Sequence, residues 1–198
     1  MFELNREILI YINSFLQFDF WKNFSYLFSD GPIFFLPVFL VGAWLFWNFK
    51  LKKEESVEKK KGLLFIFYSI VFALSTNLLF QRFFHFDRPE GSCPIDGKLI
   101  IDHYPDASFP SDHATVSFSF LFSLYLAGYK RTFWIFLPFV ICMNFSRIMV
   151  CVHWPFDILV GVLVGIIWAF LVFKFLKDLK IFEKLNNFIL KIASFVKL

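Results

Sequence analysis

The sequence predicts an all-α fold, a polytopic membrane helix bundle of about five to six transmembrane helices with an N-terminal amphipathic helix. Two observations support this class. The 198 residues are 58% hydrophobic and 23% aromatic, with a mean hydropathy of +0.63, whereas soluble domains are roughly 45–50% apolar. Long apolar runs also alternate with short polar segments, several of them rich in lysine. No internal repeat or low-complexity segment interrupts this pattern, so we expect a single integral-membrane domain over residues 1–198.

The first element, residues 4–28, is predicted to be an amphipathic helix that lies in the membrane interface. Its apolar residues recur at helical spacing, but polar side chains interrupt them at Asn13, Gln17, Asp19, Lys22 and Asn23. Crossing the membrane would bury these groups in hydrocarbon, which is costly unless a bundle shelters them, so crossing is the alternative. Residues 29–32, Ser-Asp-Gly-Pro, are then predicted to form a turn.

Five apolar runs are predicted to cross the membrane, at residues 33–49, 62–81, 113–128, about 132–149 and about 156–173. Lysine-rich segments lie between or after them, at residues 50–61, 130–131 and 174–184. By the positive-inside tendency these segments face the cytoplasm, and the first is expected to be a solvated connector. The long polar connection at residues 82–110 then falls on the outer side. Residues 177–198 are predicted to form an amphipathic cytoplasmic tail.

The net charge and the cysteine content argue against two other classes of protein, those that bind nucleic acid and those built on disulfides. The net charge of +4 is too small to indicate a nucleic-acid partner. The three cysteines, Cys93, Cys142 and Cys151, have no metal-ligand spacing, and two of them lie in one apolar run. We therefore expect no disulfide framework. Nothing in the sequence implies an obligatory protein partner.

The main chemical signal is the stretch SRIMVCVHWPFD at residues 146–157. His153 and Asp157 are one helical turn apart, so a helix there would place both on one face. A carboxylate that holds one imidazole nitrogen fixes the tautomer and leaves the other nitrogen free to attack or to accept a proton. Arg147 adds a permanent cation suited to a phosphate or carboxylate. Taken alone, the pair His153 and Asp157 is more often a buried structural pair without chemistry.

Two further polar clusters fall on the same outer side, QRFFHFDRP at residues 81–89 and SFPSDH at residues 108–113. Together with residues 146–157 they resemble the type 2 phosphatidic acid phosphatase superfamily, whose motifs read KxxxxxxRP, PSGH and SRxxxxxHxxxD. The third motif matches in full, at Ser146, Arg147, His153 and Asp157. The resemblance covers about residues 62–175.

The second motif matches with one departure. Pro110, Ser111 and His113 are present, but Asp112 replaces the glycine. Asp112 could cap the helix that starts there or tune His113, and we do not expect it to touch the phosphate. Ser111 and the backbone N–H groups after it would lie at a helix N-terminus, which presents donors to an anion.

The first motif departs at its lysine. Arg88 and Pro89 match, whereas the lysine position holds Gln81, with Arg82 one residue later. Arg82 could take the place of the lysine and join the phosphate site. Alternatively, Arg82 could extend outward while Gln81 donates a neutral hydrogen bond, and the direction of the helix face decides between the two.

The resemblance implies roles for the matching residues. His153 is expected to be the nucleophile that forms a phosphohistidine, oriented by Asp157. His113 is expected to protonate the leaving oxygen and then to activate water. The phosphoryl oxygens would be bound by Arg88, Arg147 and Ser111. No metal or other cofactor is implied, because the arginines supply the positive charge.

The Pro-Ser-Asp-His variant and the short chain resemble the bacterial undecaprenyl diphosphate phosphatases of this superfamily. This implies a multi-pass enzyme of the bacterial plasma or inner membrane that removes the terminal phosphate of undecaprenyl diphosphate at the outer face. Such recycling of a lipid carrier supports peptidoglycan synthesis and could confer resistance to antibiotics that bind the diphosphate. Its partners would be the lipid substrate and membrane lipids. The first alternative is the same chemistry on phosphatidylglycerophosphate, phosphatidate or the phosphate of lipid A.

Two other functional classes stay open. In a metal-dependent membrane hydrolase, zinc or magnesium would be held by His103, His113, His153 and Asp157. A non-catalytic carrier or transporter would use the arginines to bind an anionic lipid and would release no phosphate. Outside such a metal site, His85 and His103 have no motif position and are expected to be loop histidines.

Overall fold

The computed structural model of the protein describes residues 2–99 and 107–195. Within these ranges the chain is built from α-helices and contains no strand, so the all-α prediction is confirmed. The helices are α1 (Phe2–Asn13), α2 (Asp19–Lys50), α3 (Lys53–Phe83), α4 (Asp112–Leu126), α5 (Lys130–Met149), α6 (Pro155–Leu171) and α7 (Lys180–Phe195). A 3-10 turn, Ser14–Gln17, follows α1, and a π-helical stretch, Val172–Leu176, extends α6.

Four helices in the described part of the chain are long and apolar enough to cross a membrane, as expected of an integral-membrane protein. They are Asp19–Lys50, Lys53–Phe83, Lys130–Met149 and Pro155–Leu176. Each contains one of the predicted apolar runs. The remaining run, residues 113–128, corresponds to α4, which is shorter at 15 residues.

The prediction of one amphipathic helix over residues 4–28 is wrong. Phe18 has an extended backbone, with φ −101° and ψ 130°, and it separates the short α1 from the long α2. The predicted turn at residues 29–32 is also wrong, because α2 continues through it. Pro32 removes one backbone donor, but α3, α4 and α5 pack along α2 and outweigh this local cost.

Helix α1 packs one face on the bundle, where Leu9 and Asn13 are buried. The Asn13 amide nitrogen donates to the carbonyl oxygens of Ile95 at 2.8 Å and Met149 at 2.9 Å. Its amide oxygen accepts from the Ile95 N–H at 3.1 Å. Asn13 therefore joins the connection after α3 to the C-terminal end of α5.

The lysine-rich residues 50–61 do not form the expected solvated connector. Helix α2 ends at Lys50 and α3 already begins at Lys53, so most of the segment is helical. The Lys60 Nζ donates to the Asn48 Oδ1 at 2.7 Å and lies 4.9 Å from the centroid of the Trp44 ring. The first turns of α3 therefore pack on the last turns of α2, with the lysine ammonium over an aromatic ring.

The expectation of no disulfide is wrong. Cys93 and Cys151 form a disulfide, while Cys142 is a free thiol. Helix α5 ends at Met149, as predicted for this span, and Cys151 lies in the following loop with φ 65°. The disulfide ties the connection after α3 to the loop that carries His153.

Helix α4 lies in the middle of the bundle, in contact with α2, α3, α5 and α6. Toward α4, helix α6 presents two glycines one turn apart, Gly161 and Gly165. A Cβ at Gly161 would lie 2.7 Å from the Ser111 carbonyl oxygen, and a Cβ at Gly165 would lie 2.5 Å from the Thr115 carbonyl oxygen. The two helices therefore touch through their backbones, as small residues allow in membrane bundles.

The order of the helices places the motif residues at one end of the bundle and the lysine-rich segments at the other. The C-terminal ends of α3 and α5 lie at the same end of the bundle as the N-terminal ends of α4 and α6. At the opposite end, Tyr129 stacks on Trp47 with ring centroids 5.5 Å apart, and the Lys59 Nζ lies 5.2 Å from the Tyr129 ring. The lysine-rich starts of α3 and α5 therefore share one end of the protein.

We expect Gly165→Ala to destabilise the protein by about 1–3 kcal/mol, because the added methyl group would overlap the backbone of α4. Gly42→Ala is the matched control, since Gly42 also lies within a helix but has no atom within 4 Å of its added Cβ. The control should be neutral or slightly stabilising, because alanine favours helix. Thermal unfolding in detergent, followed by circular dichroism, measures both. Equal unfolding temperatures for the two variants would contradict the close packing.

Candidate active site

The structure brings most of the predicted site residues together at one end of the bundle. The group comprises Arg88, Ser111, His113, Arg147, His153 and Asp157. His113, at the start of α4, and Arg147, near the end of α5, both lie close enough to His153 to interact with it electrostatically. Ser111, Arg147, His153 and Asp157 are buried, whereas Arg88 and His113 are half-buried. The site is therefore accessible beside Arg88 and His113.

The ring of His153 is held by a backbone carbonyl. Its Nδ1 lies 2.9 Å from the Ser108 carbonyl oxygen, which can only accept a hydrogen bond. Nδ1 must therefore carry the proton and donate it. Nε2 is then unprotonated, and the Nη1 of Arg88, which can only donate, lies 3.5 Å from it. These two contacts set the tautomer that a nucleophilic imidazole needs.

The Asp157 carboxyl group lies too far from His153 for a direct hydrogen bond. Its Oδ2 lies 3.7 Å from the His153 Nδ1, beyond hydrogen-bond range. The same oxygen accepts from the Trp154 N–H at 2.9 Å and so closes the first turn of α6. Ser108 is the direct acceptor for the imidazole, while Asp157 holds the turn next to His153.

Arg88 is positioned by the loop between α5 and α6. Its Nη1 donates to the Val152 carbonyl oxygen at 2.9 Å, which fixes the guanidinium beside the unprotonated nitrogen of His153. A guanidinium in this place can bind a phosphoryl oxygen while Nε2 approaches the phosphorus.

A carboxylate from outside the predicted motifs completes the buried cluster. The Asp30 Oδ1, on α2, accepts from the Arg147 Nη1 at 2.6 Å, and the same oxygen lies 3.4 Å from the His113 Nε2. The side chains of Arg147 and Asp30 are 1% and 2% exposed, so water does not screen the ion pair. Helices α2, α4 and α5 each supply one member of this cluster.

Ser111 is the N-cap of α4, because its Oγ accepts from the Ala114 N–H at 3.5 Å. The cap is therefore Ser111 and not Asp112, which is the first residue of the helix. The Ser111 N–H donates to the Asp157 carbonyl oxygen at 3.2 Å and fixes the start of α4 against the first turn of α6. The first-turn N–H groups of α4 thus lie at the site end of the bundle.

The two departures from the family pattern contact each other. The Gln81 Nε2 donates to the Asp112 Oδ1 at 3.3 Å, and the Asn77 Nδ2 donates to the same oxygen at 2.8 Å. The Gln81 Nε2 also lies 3.4 Å from the Pro110 carbonyl oxygen. Two neutral amides of α3 therefore hold Asp112, and Gln81 supports the Pro-Ser-Asp-His segment.

Several residues considered in the sequence lie outside the buried cluster. Arg82 is exposed in the last turn of α3, and His85 is exposed in the connection that follows. His103 lies outside the described residues. Within the residues that are described, no group of three or more histidine, cysteine, aspartate or glutamate side chains is placed to hold a metal ion.

An apolar groove of about 420 Å³ begins next to the cluster of Asp30, His113 and Arg147. Each helix of the cluster contributes a lining residue within about one turn of its charged group, namely Pro32 on α2, Ser117 on α4 and Met143 on α5. Farther from the cluster the lining includes Phe35, Val38, Phe136 and Phe139. The groove therefore lies between the same three helices as the charged cluster, with its lining beginning within about one turn of it.

Burial lowers the pKa of His153 well below its ordinary value of 6.5, and the cations Arg147 and Arg88 lower it further. The hydrogen bond to the Ser108 carbonyl acts in the opposite direction and is outweighed. His153 is therefore neutral at pH 7 and keeps the unprotonated Nε2 that a nucleophile needs.

Sequence analysis missed Asp30 and the contact made by Ser108. Asp30 lies in a Ser-Asp-Gly-Pro string that predicts a turn, yet an ionisable residue within an apolar stretch is itself a signal of a functional site. That signal could have identified Asp30. Ser108 opens the second motif cluster, but it acts through its backbone carbonyl, which no residue type reveals.

Residues 62–181 match the model of the PAP2 superfamily. The chain is 30% identical over 180 residues to the "Bacitracin transport permease protein BcrC" of Bacillus licheniformis, covering 86% of this chain and 80% of that protein. It is 30% identical over 136 residues to the "Undecaprenyl-diphosphatase BcrC" of Bacillus subtilis (strain 168), covering 69% and 65%. It is 28% identical over 132 residues to the "Putative undecaprenyl-diphosphatase YbjG" of Escherichia coli (strain K12), covering 67% and 62%.

Among solved structures, the chain is similar to the crystal structure of Aquifex aeolicus LpxE, with a TM-score of 0.60 and 24% sequence identity. The alignment covers 87% of this chain and 96% of that chain. At this identity the likeness concerns the fold. Because it extends over nearly all of the other chain, the whole helical architecture is shared and not only the motif segments.

We expect His153 to be neutral at pH 7, with its proton on Nδ1. It should remain neutral as the pH falls through about 6.5, the ordinary pKa of histidine. The sign follows because burial and the two arginines disfavour the charged imidazolium. Nitrogen NMR of histidine-labelled protein in detergent, with His153→Gln to assign the signal, measures both the tautomer and the titration. A proton on Nε2, or a titration at or above this ordinary value, would contradict the geometry.

Proposed function

The chain belongs to the PAP2 superfamily and is a phosphatase, and from this premise we propose that it hydrolyses the terminal phosphate of undecaprenyl diphosphate to give undecaprenyl phosphate. Two of the curated relatives carry this activity in their names. The stretch that matches the superfamily includes every motif position of the site. Sequence identity of about 30% supports the type of reaction more strongly than it supports the choice of lipid substrate. The lipid is therefore inferred from the structure of the site.

The observation that carries the choice of substrate is the apolar groove that lies between the same helices as the charged cluster. Arg88 and Arg147 suit a phosphoryl group, and the groove begins about one turn from Arg147. A substrate that satisfies both is an amphiphile with a phosphorylated head and a hydrocarbon chain. Aromatic and branched apolar side chains line the groove, as an isoprenoid chain requires.

Hydrolysis would proceed in two steps through a phosphohistidine. In the first step the Nε2 of His153 attacks the terminal phosphorus, and the bond from this phosphorus to the bridging oxygen breaks. Protonated His113 gives its proton to the bridging oxygen, which leaves as part of undecaprenyl phosphate. Arg88 and Arg147 donate hydrogen bonds to the equatorial oxygens, which carry charge in the transition state.

In the second step a water molecule attacks the phosphorus of the phosphohistidine. His113, now neutral, takes a proton from this water, the phosphorus–nitrogen bond breaks, and inorganic phosphate leaves. The Ser108 carbonyl supports both steps, because the Nδ1–H that it holds shares the positive charge that develops on the ring of His153. The Asp157 carboxyl group lies 3.7 Å from the same nitrogen and holds the turn beside the ring.

The site would face the outside of the bacterial plasma or inner membrane. The lysine-rich starts of α3 and α5 lie at the opposite end of the bundle, where cytoplasmic segments are expected. The disulfide between Cys93 and Cys151 lies at the site end, and disulfides persist in oxidising compartments outside the cytoplasm. Two independent features therefore favour the same orientation.

In this orientation five helices, α2 to α6, would cross the membrane. The short α4 is in contact with four other helices, so its serines are sheltered from lipid. Helix α1 would lie across the outer end of the bundle, where Asn13 holds it to the connection after α3. Its exposed side chains Leu4, Ile8 and Tyr11 would contact the membrane surface.

Other readings of the same site differ in measurable ways. The same chemistry could act on phosphatidylglycerophosphate, phosphatidate or lipid A. A carrier is a different class, and one relative is named as a transport permease. A carrier has no use for a histidine held as a neutral nucleophile, so His153 separates the two classes. A metal-dependent hydrolase would lose its activity on chelation.

We expect the purified protein to release phosphate from undecaprenyl diphosphate faster than from phosphatidylglycerophosphate, phosphatidate or lipid A, and equally fast with and without EDTA. His153→Ala should lower the rate at least about a thousandfold, because it removes the attacking nitrogen. His85→Ala, at an exposed histidine of the connection after α3, is the control and should keep the wild-type rate.

Each outcome of this panel decides one point. Undecaprenyl diphosphate as the poorest substrate would overturn the choice of lipid. Activity lost with EDTA and restored by metal would overturn the metal-free mechanism. Full turnover by His153→Ala would remove that residue from the chemistry, and no release from any lipid would favour a carrier.

We expect Val38→Trp to impair long-chain substrates selectively. Val38 lines the groove about 12 Å beyond Asp30 along α2. A larger ring there would obstruct a long isoprenoid chain, whereas a short chain would not reach it. The kcat/KM should fall about tenfold for undecaprenyl diphosphate and stay unchanged for a short-chain isoprenyl diphosphate. Val41→Trp, at an exposed position on the same helix, is the control. An equal fall in kcat/KM for both chain lengths would argue against the groove as the binding site of the isoprenoid chain.

A further inference from the structure

Asp30 and His113 form a second histidine–carboxylate pair in the site. The Asp30 Oδ1 lies 3.4 Å from the His113 Nε2 and accepts from the Arg147 Nη1 at 2.6 Å. The Asp30 Oδ2 accepts from the Ser29 Oγ at 3.4 Å. The carboxylate is buried, and it comes from α2, outside the residues that match the superfamily.

The charged and titratable groups around His113 come from several elements. Asp30 faces it from α2 and Arg147 from α5, Asp112 is its neighbour on α4, and His153 lies across the site. Asp112 already accepts hydrogen bonds from two amides of α3. Asp30 is the carboxylate whose oxygen lies at contact distance from the imidazole.

The proposed reaction requires His113 to be protonated at the start of each turnover. It must be an imidazolium when it protonates the leaving oxygen, although Arg147 is nearby and only 19% of the side chain is exposed. A partly buried imidazolium beside a guanidinium is unstable unless an anion between them offsets their mutual repulsion. Asp30 supplies this anion between the two groups.

We propose that Asp30 is a positioning residue for His113, whose carboxylate holds the imidazole beside the Arg147 guanidinium and stabilises its protonated form before proton transfer. The inference rests on the proposed phosphatase function and adds to it a residue that acts through the general acid. No bond to Asp30 is made or broken in the reaction.

The shared oxygen gives Asp30 more than a structural role. Because Arg147 and His113 approach the same Oδ1, this atom fixes the distance between the cation that binds the phosphoryl group and the acid that protonates the leaving oxygen. A structural ion pair would need only Arg147. The protonation of His113 is therefore the property that distinguishes the two roles.

The test compares the pH–rate profiles of phosphate release for the wild type and Asp30→Asn, with undecaprenyl diphosphate as the substrate. Without its anion, His113 gives up its proton at lower pH. The basic limb of kcat should therefore move to lower pH by about one unit, and the rate above neutrality should fall about 10- to 100-fold. Asp19→Asn is the matched control, since Asp19 is an exposed aspartate of the same helix.

The outcomes separate this inference from the function on which it rests. An unshifted basic limb in a folded Asp30→Asn protein would overturn the positioning role. A wild-type protein that releases no phosphate would overturn the proposed function instead. Size-exclusion chromatography and the unfolding temperature establish whether the variant is folded.

Asp30→Glu keeps the test decisive if Asp30→Asn does not fold. The glutamate retains the charge but is longer by one methylene, so it no longer fits between the guanidinium and the imidazole. We expect its basic limb to stay at the wild-type position while kcat falls about tenfold. A wild-type kcat in Asp30→Glu would overturn the requirement for positioning.

Discussion

The geometry of the site depends on the direct contact of α4 with α6. Gly161 and Gly165 let the two backbones touch, and the Thr115 Oγ1 donates to the Gly161 carbonyl oxygen at 3.2 Å. Near the start of α6, the Ser111 N–H donates to the Asp157 carbonyl oxygen at 3.2 Å. Both helices begin at this contact, so backbone packing sets His113 of α4, the proposed general acid, against the loop that carries the proposed nucleophile, His153. Precise chemistry is thereby built on a rigid framework.

A second constraint is the balance of buried charge. An uncompensated cation is costly in a bundle surrounded by hydrocarbon, and Arg147 is paired with Asp30 across α5 and α2. The same balance gives the two histidines different environments. Burial and two cations keep His153 neutral, whereas a carboxylate contacts His113. The two histidines therefore differ in the charge that surrounds them, as the proposed roles of a neutral nucleophile and a proton donor demand.

The fold class and the family could be predicted from the sequence, because hydropathy and motif spacing are properties of single segments. The errors arose where packing between distant segments outweighs a local signal. Residues 29–32 predict a turn, yet three helices packed along α2 keep them helical. The disulfide joins cysteines 58 positions apart, which only the folded chain brings together. Asp30 and the Ser108 carbonyl belong to the site for the same reason, through contacts that no linear pattern contains.

The two departures from the family pattern have one electrostatic consequence. A lysine at position 81 would add a cation near the site, and a glycine at position 112 would add no charge. Here a neutral amide contacts a carboxylate, so the region is less positive. In the proposed mechanism, the charge of the diphosphate is then balanced by Arg88, Arg147 and protonated His113. The protonated state of His113 would therefore carry more of the binding than in a site that retains the lysine, and a carboxylate that stabilises this state, the role proposed for Asp30, would become correspondingly important.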